Sequence, residues 1–502
     1  MAIYEGLEIW FVTGSQHLYG PKTLAQVAED SQAIVNKLNE AGLPITLVWK
    51  PTVKTSTEIY DVCLAANNTP NCVGLITWMH TFSPAKMWIG GLKILSKPML
   101  HLHTQFNRDI PWSEIDMDYM NLHQSAHGDR EFGHIVSRMR RNVKVVAGHW
   151  SEADVQHRIS VWMRVAAAWA DSQDMKIARF GDNMRNVAVT DGDKVEAELR
   201  FGYHVDYYPI GDLVAYIEKV TDAEIAAIVS QYDADYDVAP NAQEGGADRQ
   251  SVVESARIEA ALRKFLTERN IKAFTTNFEA LRDVHQLPGL ASQRLMNEGY
   301  GFGAEGDWKT AALLRHMKVM SKGLKGGTSF MEDYTYHLDP ANKAILQSHM
   351  LEICPSIAAQ KPSLQVHKLG IGGKADPARI LFNAPAGDGI AATVVDMGNR
   401  FRMIVNVVDV IDPIATLPKL PVAFALWKPQ PDFQTSTEGW ILSGGTHHTS
   451  FSMAITKEYL EDFAAMADIE LVVIENGSTI SELKKELRYN DVYYMLNKAN
   501  QY

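Results

Sequence analysis

The order of secondary-structure signals constrains this chain most. Up to about residue 326, strand-like apolar runs alternate with stretches whose apolar residues recur at helical spacing. LEIWFV at 7–12 is followed by the helical 22–41, which Gly42 stops. ITLVWK, the helical 56–67, VGLITWM, the segment 84–95 and PMLHLHT continue the pattern, and the helical 152–171 closes the first run. A second run opens with MKIARFGD and passes through the helical 250–269 and the strand IKAFTTNF to YGFGAEGDWK and a helix over 308–320. Such βαβα order predicts parallel sheets covered by helices on both faces.

From about residue 327 the texture changes. SFMEDYTYHL, RILFNAP, GIAATVVDMG, FRMIVNVVDVI and VAFALW are short β-rich runs punctuated by Gly, Pro, Asp and Asn, the pattern of an antiparallel sheet or barrel. Helices return after residue 452. The expected fold class is therefore α/β: two doubly wound units, then a mainly antiparallel β unit. The expected boundaries are 1–175, 176–326 and 327–502. A chain of 502 residues exceeds what one core usually serves.

Composition excludes several partner classes. A formal net charge of -12 argues against nucleic acid or an anionic membrane surface, either of which selects clustered Lys and Arg. The one short basic run, Arg138 to Arg141, ends a predicted helix, where cations complement the helix dipole. Three cysteines outside any C-x-x-C spacing fit a reducing compartment. The N-terminal stretch lacks a basic, then apolar, signal pattern, and no segment approaches the ~18 uninterrupted apolar residues of a membrane span. A cytoplasmic protein is expected.

In doubly wound sheets ligands collect beyond the carboxyl ends of the strands, which points to the loop holding Gln16, His17 and Tyr19. Gly14 and Gly20 are too far apart for a dinucleotide fingerprint. Glu305 follows a predicted strand between Gly303 and Gly306, and Asp307 is placed to cap the next helix. In SFMEDYTYH a period of two sets Phe330, Glu332, Tyr334 and Tyr336 on one face. A carboxylate in that row is exposed to solvent, satisfied by a tyrosine hydroxyl, or buried beside a cation. His349, sharing a face with Leu351 and Ile353 if 349–353 is extended, is either a hydrogen-bonded core residue or a ligand. His447 and His448 are adjacent, and neighbours in extended backbone face opposite sides, so one could bind metal while the other faces substrate. Two carboxylates with two imidazoles and no thiolate favour Mn, Mg or Co over a structural zinc site. The separations of 27, 17 and 99 residues match no metal motif.

TGSQHLYG, HQSAHGDREFG, GFGAEGDWKTA, GGTSFMEDYTYH, HMLEICPSI, LGIGGKADP and GGTHHTSFS, in this order along the whole chain, resemble the L-arabinose isomerase family. The resemblance implies two Rossmann-like domains and a mainly β C-terminal domain, as in L-fucose isomerase-like folds. It implies interconversion of L-arabinose and L-ribulose in arabinose catabolism, with D-galactose to D-tagatose as a side activity. Mn2+ is the implied metal, with Co2+ or Mg2+ as substitutes. The implied metal ligands are Glu305, Glu332, His349 and His448, with both glutamates catalytic. The implied substrate contacts are Gln16, Leu18, Tyr19, Phe82, Met184, Phe278, Ile371 and His447, together with Gln124 and His127 supplied by a neighbour in a homohexamer. Two other readings are an isomerase for a different sugar, such as L-fucose, and a sugar-binding protein without turnover.

Overall fold

The structure is a computed structural model that describes residues 3–369 and 373–498. The chain packs as two compact units, one running to Ala170 and joined by Glu461–Asp468, the other comprising Asp171–Leu460 and the segment from Ile469 on.

The first unit holds a five-stranded sheet in the order Thr46–Val53, Glu8–Gly14, Cys72–Met79, Met99–His103 and Lys144–Ala147. Every neighbouring pair is parallel. Cys72–Met79 is buried along its whole length, as a strand covered on both faces requires. The strand order reverses between Glu8–Gly14 and Cys72–Met79. In open α/β sheets such a switch point is where ligands bind beyond the carboxyl ends of the strands.

The second unit opens with four parallel strands in the order Gly301–Gly303, Ile271–Thr276, Lys176–Phe180 and His204–Tyr208. Its β-rich part is a ring of pairings, mainly antiparallel as its punctuation predicts. Gly387–Asp396 pairs with His448–Ser452, which pairs with Thr328–His337; Ala344–Ser348, Phe424–Pro429 and Phe401–Ile411 follow, and the last pairs back to Gly387–Asp396. Glu470–Ile474 joins in parallel beside Phe401–Ile411. Met331, Ile345, Ala391, Val408, Trp427 and Phe451 fill this barrel-like core, with Trp427 and Phe451 stacked at 5.0 Å. Closing the ring removes sheet edges that would otherwise template aggregation.

The alternation of the sequence is reproduced in detail, down to the predicted strand at Phe401–Ile411 and helix at Trp308–Met320. The segment 84–95 continues that alternation as a 3-10 turn, Ala85–Trp88, running into the short helix Ile89–Ile94. One local expectation is corrected. In Thr328–His337 the register shifts between Asp333 and Thr335, so Tyr336 lines the same cavity as Asp333 and packs on Phe433, off the face of Glu332. The extra residue breaks the period of two on which the aromatic row was read.

Two glycines set the distance between Gly301–Gly303 and the helix after it. A Cβ at Gly301 would lie 2.1 Å from the carbonyl oxygen of Ala311, and one at Gly303 would lie 2.1 Å from that of Asp307. Both obstacles are backbone, so relief requires the helix Trp308–Met320 to move. Gly303→Ala is expected to cost about 1–3 kcal/mol, the range for overpacking. A lowered Tm together with reduced turnover would show this close approach positioning the turn that follows; a variant melting and turning over as the parent would refute it.

Candidate active site

Glu305 lies just beyond the strand Gly301–Gly303, at φ +60°, ahead of Gly306 at φ +91°. A left-handed glutamate is costly, and such strain persists where surrounding contacts impose it. Those contacts are visible. The Glu305 carbonyl accepts from the Met184 N–H at 2.9 Å, and the Gly306 N–H donates to the Thr276 carbonyl at 3.2 Å and the Thr275 hydroxyl at 3.0 Å. Any Cβ on Gly306 would meet the Asn183 backbone at 2.6 Å. The turn is wedged between two loops, and its side chain is aimed by that packing.

Glu332 is delivered by sheet register. It stands opposite His448 on one neighbouring strand and opposite Ser348 on the other. His349 follows Ser348 directly, in irregular backbone, so the condition under which it would share a face with Leu351 and Ile353 is not met. The rings of His349 and His448 both pack edge-on against the buried Phe330, at 5.1 and 5.4 Å between centroids. One aromatic side chain thus fixes the spacing of two imidazoles.

The result is a continuous cluster. His349 Nε2 is 3.6 Å from Glu332 Oε2, and His447 Nε2 is 3.5 Å from Glu332 Oε1 and 3.9 Å from Glu305 Oε2. His448 Nε2 is 3.7 Å from the same Glu305 oxygen. Glu305, His447 and His448 each offer a ligand atom, all within 4.8 Å of one another. His447, His448 and His349 together hold the Glu305 carboxyl below the ordinary glutamate range, although burial opposes this.

His447 and His448 differ in what stands behind them. The His448 side chain is fully buried, and its Nδ1 is 3.0 Å from Oδ2 of the equally buried Asp307. Burial favours a neutral Asp307, but Lys309 and the bond from His448 outweigh it and hold the acid far below the usual range. An ionised carboxylate only accepts, so the proton between them sits on Nδ1, and Nε2 is the nitrogen that turns toward Glu305. That Nε2 is buried and has no hydrogen-bond partner among the described residues. His349 repeats the arrangement, its Nδ1 at 2.5 Å from Glu352 and its Nε2 facing Glu332. His447 stays 41% exposed in its side chain and faces both glutamates with Nε2.

Three donors close to one another, Glu305, His447 and His448, the last with a buried Nε2 that has no hydrogen-bond partner among the described residues, fit a divalent cation, and Glu332 and His349 flank them. Carboxylate-backed imidazoles are the usual support of such sites. Asp307 was legible in the sequence only as a helix cap, which it also is, accepting from the Thr310 N–H and hydroxyl. Glu352 stands three residues after His349 in HMLEICPSI, a spacing that could have marked the pair, although the segment is not helical.

The expected substrate contacts fall in two groups. Phe278 lines a cavity of about 30 Å³ with Glu305, His349 and Glu352, and Met184 is tied to Glu305 through the backbone. Ile371 lies outside the described residues. In the first unit, Gln16, Leu18 and Tyr19 follow Glu8–Gly14, and Phe82 follows Cys72–Met79, on the two sides of the switch point. Ser15 and Thr81 hydroxyls join these loops at 2.7 Å. His127 rests on Phe82 at 4.8 Å between ring centroids, and Gln124 donates its N–H to the His80 carbonyl at 3.0 Å. Leu18 is 82% exposed.

Parallel α/β sheets, a β ring and a half-buried set of carboxylates and imidazoles define the class: an α/β protein with a candidate cation site. Sequence comparison narrows this. Models of the L-arabinose isomerase N-terminal, central and C-terminal domains match residues 3–174, 176–323 and 327–470. The L-arabinose isomerase of Herpetosiphon aurantiacus is 58% identical over 98% of both chains. That of Tolumonas auensis is 57% identical over 99% of this chain and all of its own, and that of Flavobacterium johnsoniae 57% over 97% and 98%. The chain belongs to the L-arabinose isomerase family.

Asp307→Asn separates the two roles of that residue, because asparagine caps a helix about as well as aspartate. Mn2+ binding to the full-length protein, measured by calorimetry, is expected to weaken about 10–100-fold, and Tm to fall because the buried Lys309 loses the charge of its partner at 3.4 Å. Unchanged affinity would contradict the orienting role.

Proposed function

We propose that this protein interconverts L-arabinose and L-ribulose, moving a proton between C1 and C2 of the open-chain sugar through a cis-enediol. Membership of the family over nearly its whole length carries this reading, and the pairing of Glu305 with Glu332 around His447 supplies its chemistry. D-galactose, which shares the L-arabinose configuration at the ring carbons, is converted to D-tagatose as a side activity. The family-model limits support division into domains near 175/176 and 326/327.

Glu305, Glu332, His349 and His448 would hold the divalent cation, with His447 on the sugar side. When bound, the ion, Mn2+ by preference and Co2+ or Mg2+ in substitution, polarises the substrate carbonyl and favours the cis geometry.

The two carboxylates carry the proton transfers. Isomerisation needs a base at the carbon losing its proton and an acid–base group adjusting the protons on O1 and O2. Glu305 is ionised at neutral pH, because the imidazoles beside it favour the charged form. It can therefore accept a proton without first losing one. Glu332, at a similar depth, shares the task at the adjacent carbon. A carboxylate that also ligates a cation is a weaker base, so one of the two must loosen as substrate enters. His447, within 4 Å of both and open to solvent on one side, is placed to hold a sugar hydroxyl.

Gln16, Leu18, Tyr19, Phe82, Met184, Phe278 and Ile371 are assigned to the sugar pocket, with Gln124 and His127 serving a neighbouring subunit of a homohexamer. A cytoplasmic location agrees with the absence, among the described residues, of any helix long and apolar enough to cross a membrane.

Glu305→Gln and Glu332→Gln keep size and hydrogen bonding but remove the base. Each is expected to lower turnover of L-arabinose by about 10²-fold or more. In D2O the wild-type ketose should carry solvent deuterium at C1. Near-normal turnover in either variant would overturn the assignment, and quantitative retention of the migrating hydrogen would favour a hydride shift.

A further inference from the structure

A cavity in the first unit lies at the amino ends of its strands Met99–His103 and Lys144–Ala147, opposite to the carboxyl ends where Gln16, Tyr19 and Phe82 stand. It measures about 390 Å³ and is lined by Ser96–Met99, the segment Arg140–Val145, Trp162, Trp169 and residues of 462–468. This volume falls in the range of small-molecule sites. Its walls are cationic in a chain whose net charge is -12. Lys97, Arg140, Arg141 and Lys144 line it, against the carboxylates of Asp462 and Asp468.

The internal pairings leave positive charge over. Lys144 is neutralised by Asp462, at 2.8 and 3.0 Å from the two oxygens. Asp468 accepts from the Asn142 amide at 3.3 Å. Arg141 spends one Nη2 donor on the Leu95 carbonyl, at 2.8 Å, and keeps the rest of its fork. Lys97 and Arg140 form no ion pair among the described residues. Lys97, Arg140 and Arg141 therefore bring positive charge to the cavity beyond the Lys144–Asp462 pair.

The helix dipole, invoked from sequence for this basic run, does not account for it. The carbonyls at the end of Ser125–Arg138 are already satisfied by backbone. Met139 N–H donates to Ile135, Arg140 N–H to Ser137 and Arg141 N–H to Val136. This is a Schellman ending, and its left-handed residue is Arg140, at φ +53°. Glycine is the residue that position favours, and arginine is a poor choice on backbone grounds alone. Its side chain lines the cavity instead.

We infer that this cavity is a second ligand site, separate from the Glu305–Glu332 cluster, and that it takes a phosphorylated sugar. The guanidinium groups of Arg140 and Arg141 and the Lys97 ammonium suit a phosphate dianion. Asp468 and the Asn142 amide can exchange their mutual bond for sugar hydroxyls. Trp169 presents an aromatic wall of the kind that covers the apolar face of a sugar ring. A polyanion such as nucleic acid is disfavoured by the acidic surface of the rest of the chain.

The test is calorimetric titration of the full-length protein with ribose 5-phosphate, ribose and inorganic phosphate. Arg140→Gly removes the guanidinium while giving the left-handed position the residue it favours, so Tm should hold or rise. Lys97→Met is an independent second variant. Ribose 5-phosphate is expected to bind the wild type at one site per chain, at least 10-fold more tightly than inorganic phosphate. Each variant should weaken it at least 10-fold while isomerisation of L-arabinose is unchanged. Three results would overturn the inference: no binding to the wild type, equal binding of inorganic phosphate, or sugar-phosphate affinity that survives both substitutions.

Discussion

The pairing of Glu332 with His448 across one antiparallel ladder is the constraint on which the rest of the site depends. Register in a sheet is all or none: slipping one residue would turn both side chains to the opposite face. The barrel-like ring fixes it from both sides, since Thr328–His337 is held between His448–Ser452 and Ala344–Ser348. The ladder on the opposite side of Thr328–His337 brings Ser348, and with it His349, to the other flank of Glu332. Phe330, two residues before Glu332, then spaces the two imidazoles.

Glu305 reaches the cluster by a different physical route. It is carried on a parallel-sheet turn whose close helix approach only glycine permits, and its left-handed conformation is imposed by backbone bonds to Met184 and Thr276. Asp307, two residues on, caps the following helix and backs His448 with the same carboxylate. Helix start, ligand orientation and turn geometry are therefore one mechanical unit. Substitutions there should affect stability and chemistry together.

Much of the fold was legible in the sequence because apolar periodicity reports burial directly. The doubly wound sheets and the β-rich end follow from it, and so does the helix that Asp307 caps. The candidate site was legible only in part. Read from residues alone, Glu332 had three possible fates and His349 two, because local pattern cannot say what lies across a sheet. Separations of 27, 17 and 99 residues become neighbours only through strand pairing. Asp307 was hidden for the same reason, its histidine lying 141 residues away in sequence; Glu352 stands three residues after His349, a helical spacing in a segment that does not read as a helix, so the pair went unmarked. The register shift after Asp333 misled in the opposite direction, by breaking an alternation the sequence displays intact.

The difference between the two adjacent histidines is electrostatic. His448 has a buried ionised carboxylate behind Nδ1 and a partnerless Nε2 in front, whereas His447 has solvent behind it and both glutamates before it. The first arrangement suits a fixed ligand, the second a group that moves with substrate. The central claim is that this cluster performs acid–base isomerisation with a divalent cation in place. It is tested most directly by following ketose formation from L-arabinose with full-length protein stripped by EDTA, then restored with Mn2+, Co2+ or Mg2+ in turn. The account predicts no ketose after stripping and recovery with Mn2+ above the others. Undiminished ketose formation by metal-free protein would contradict it.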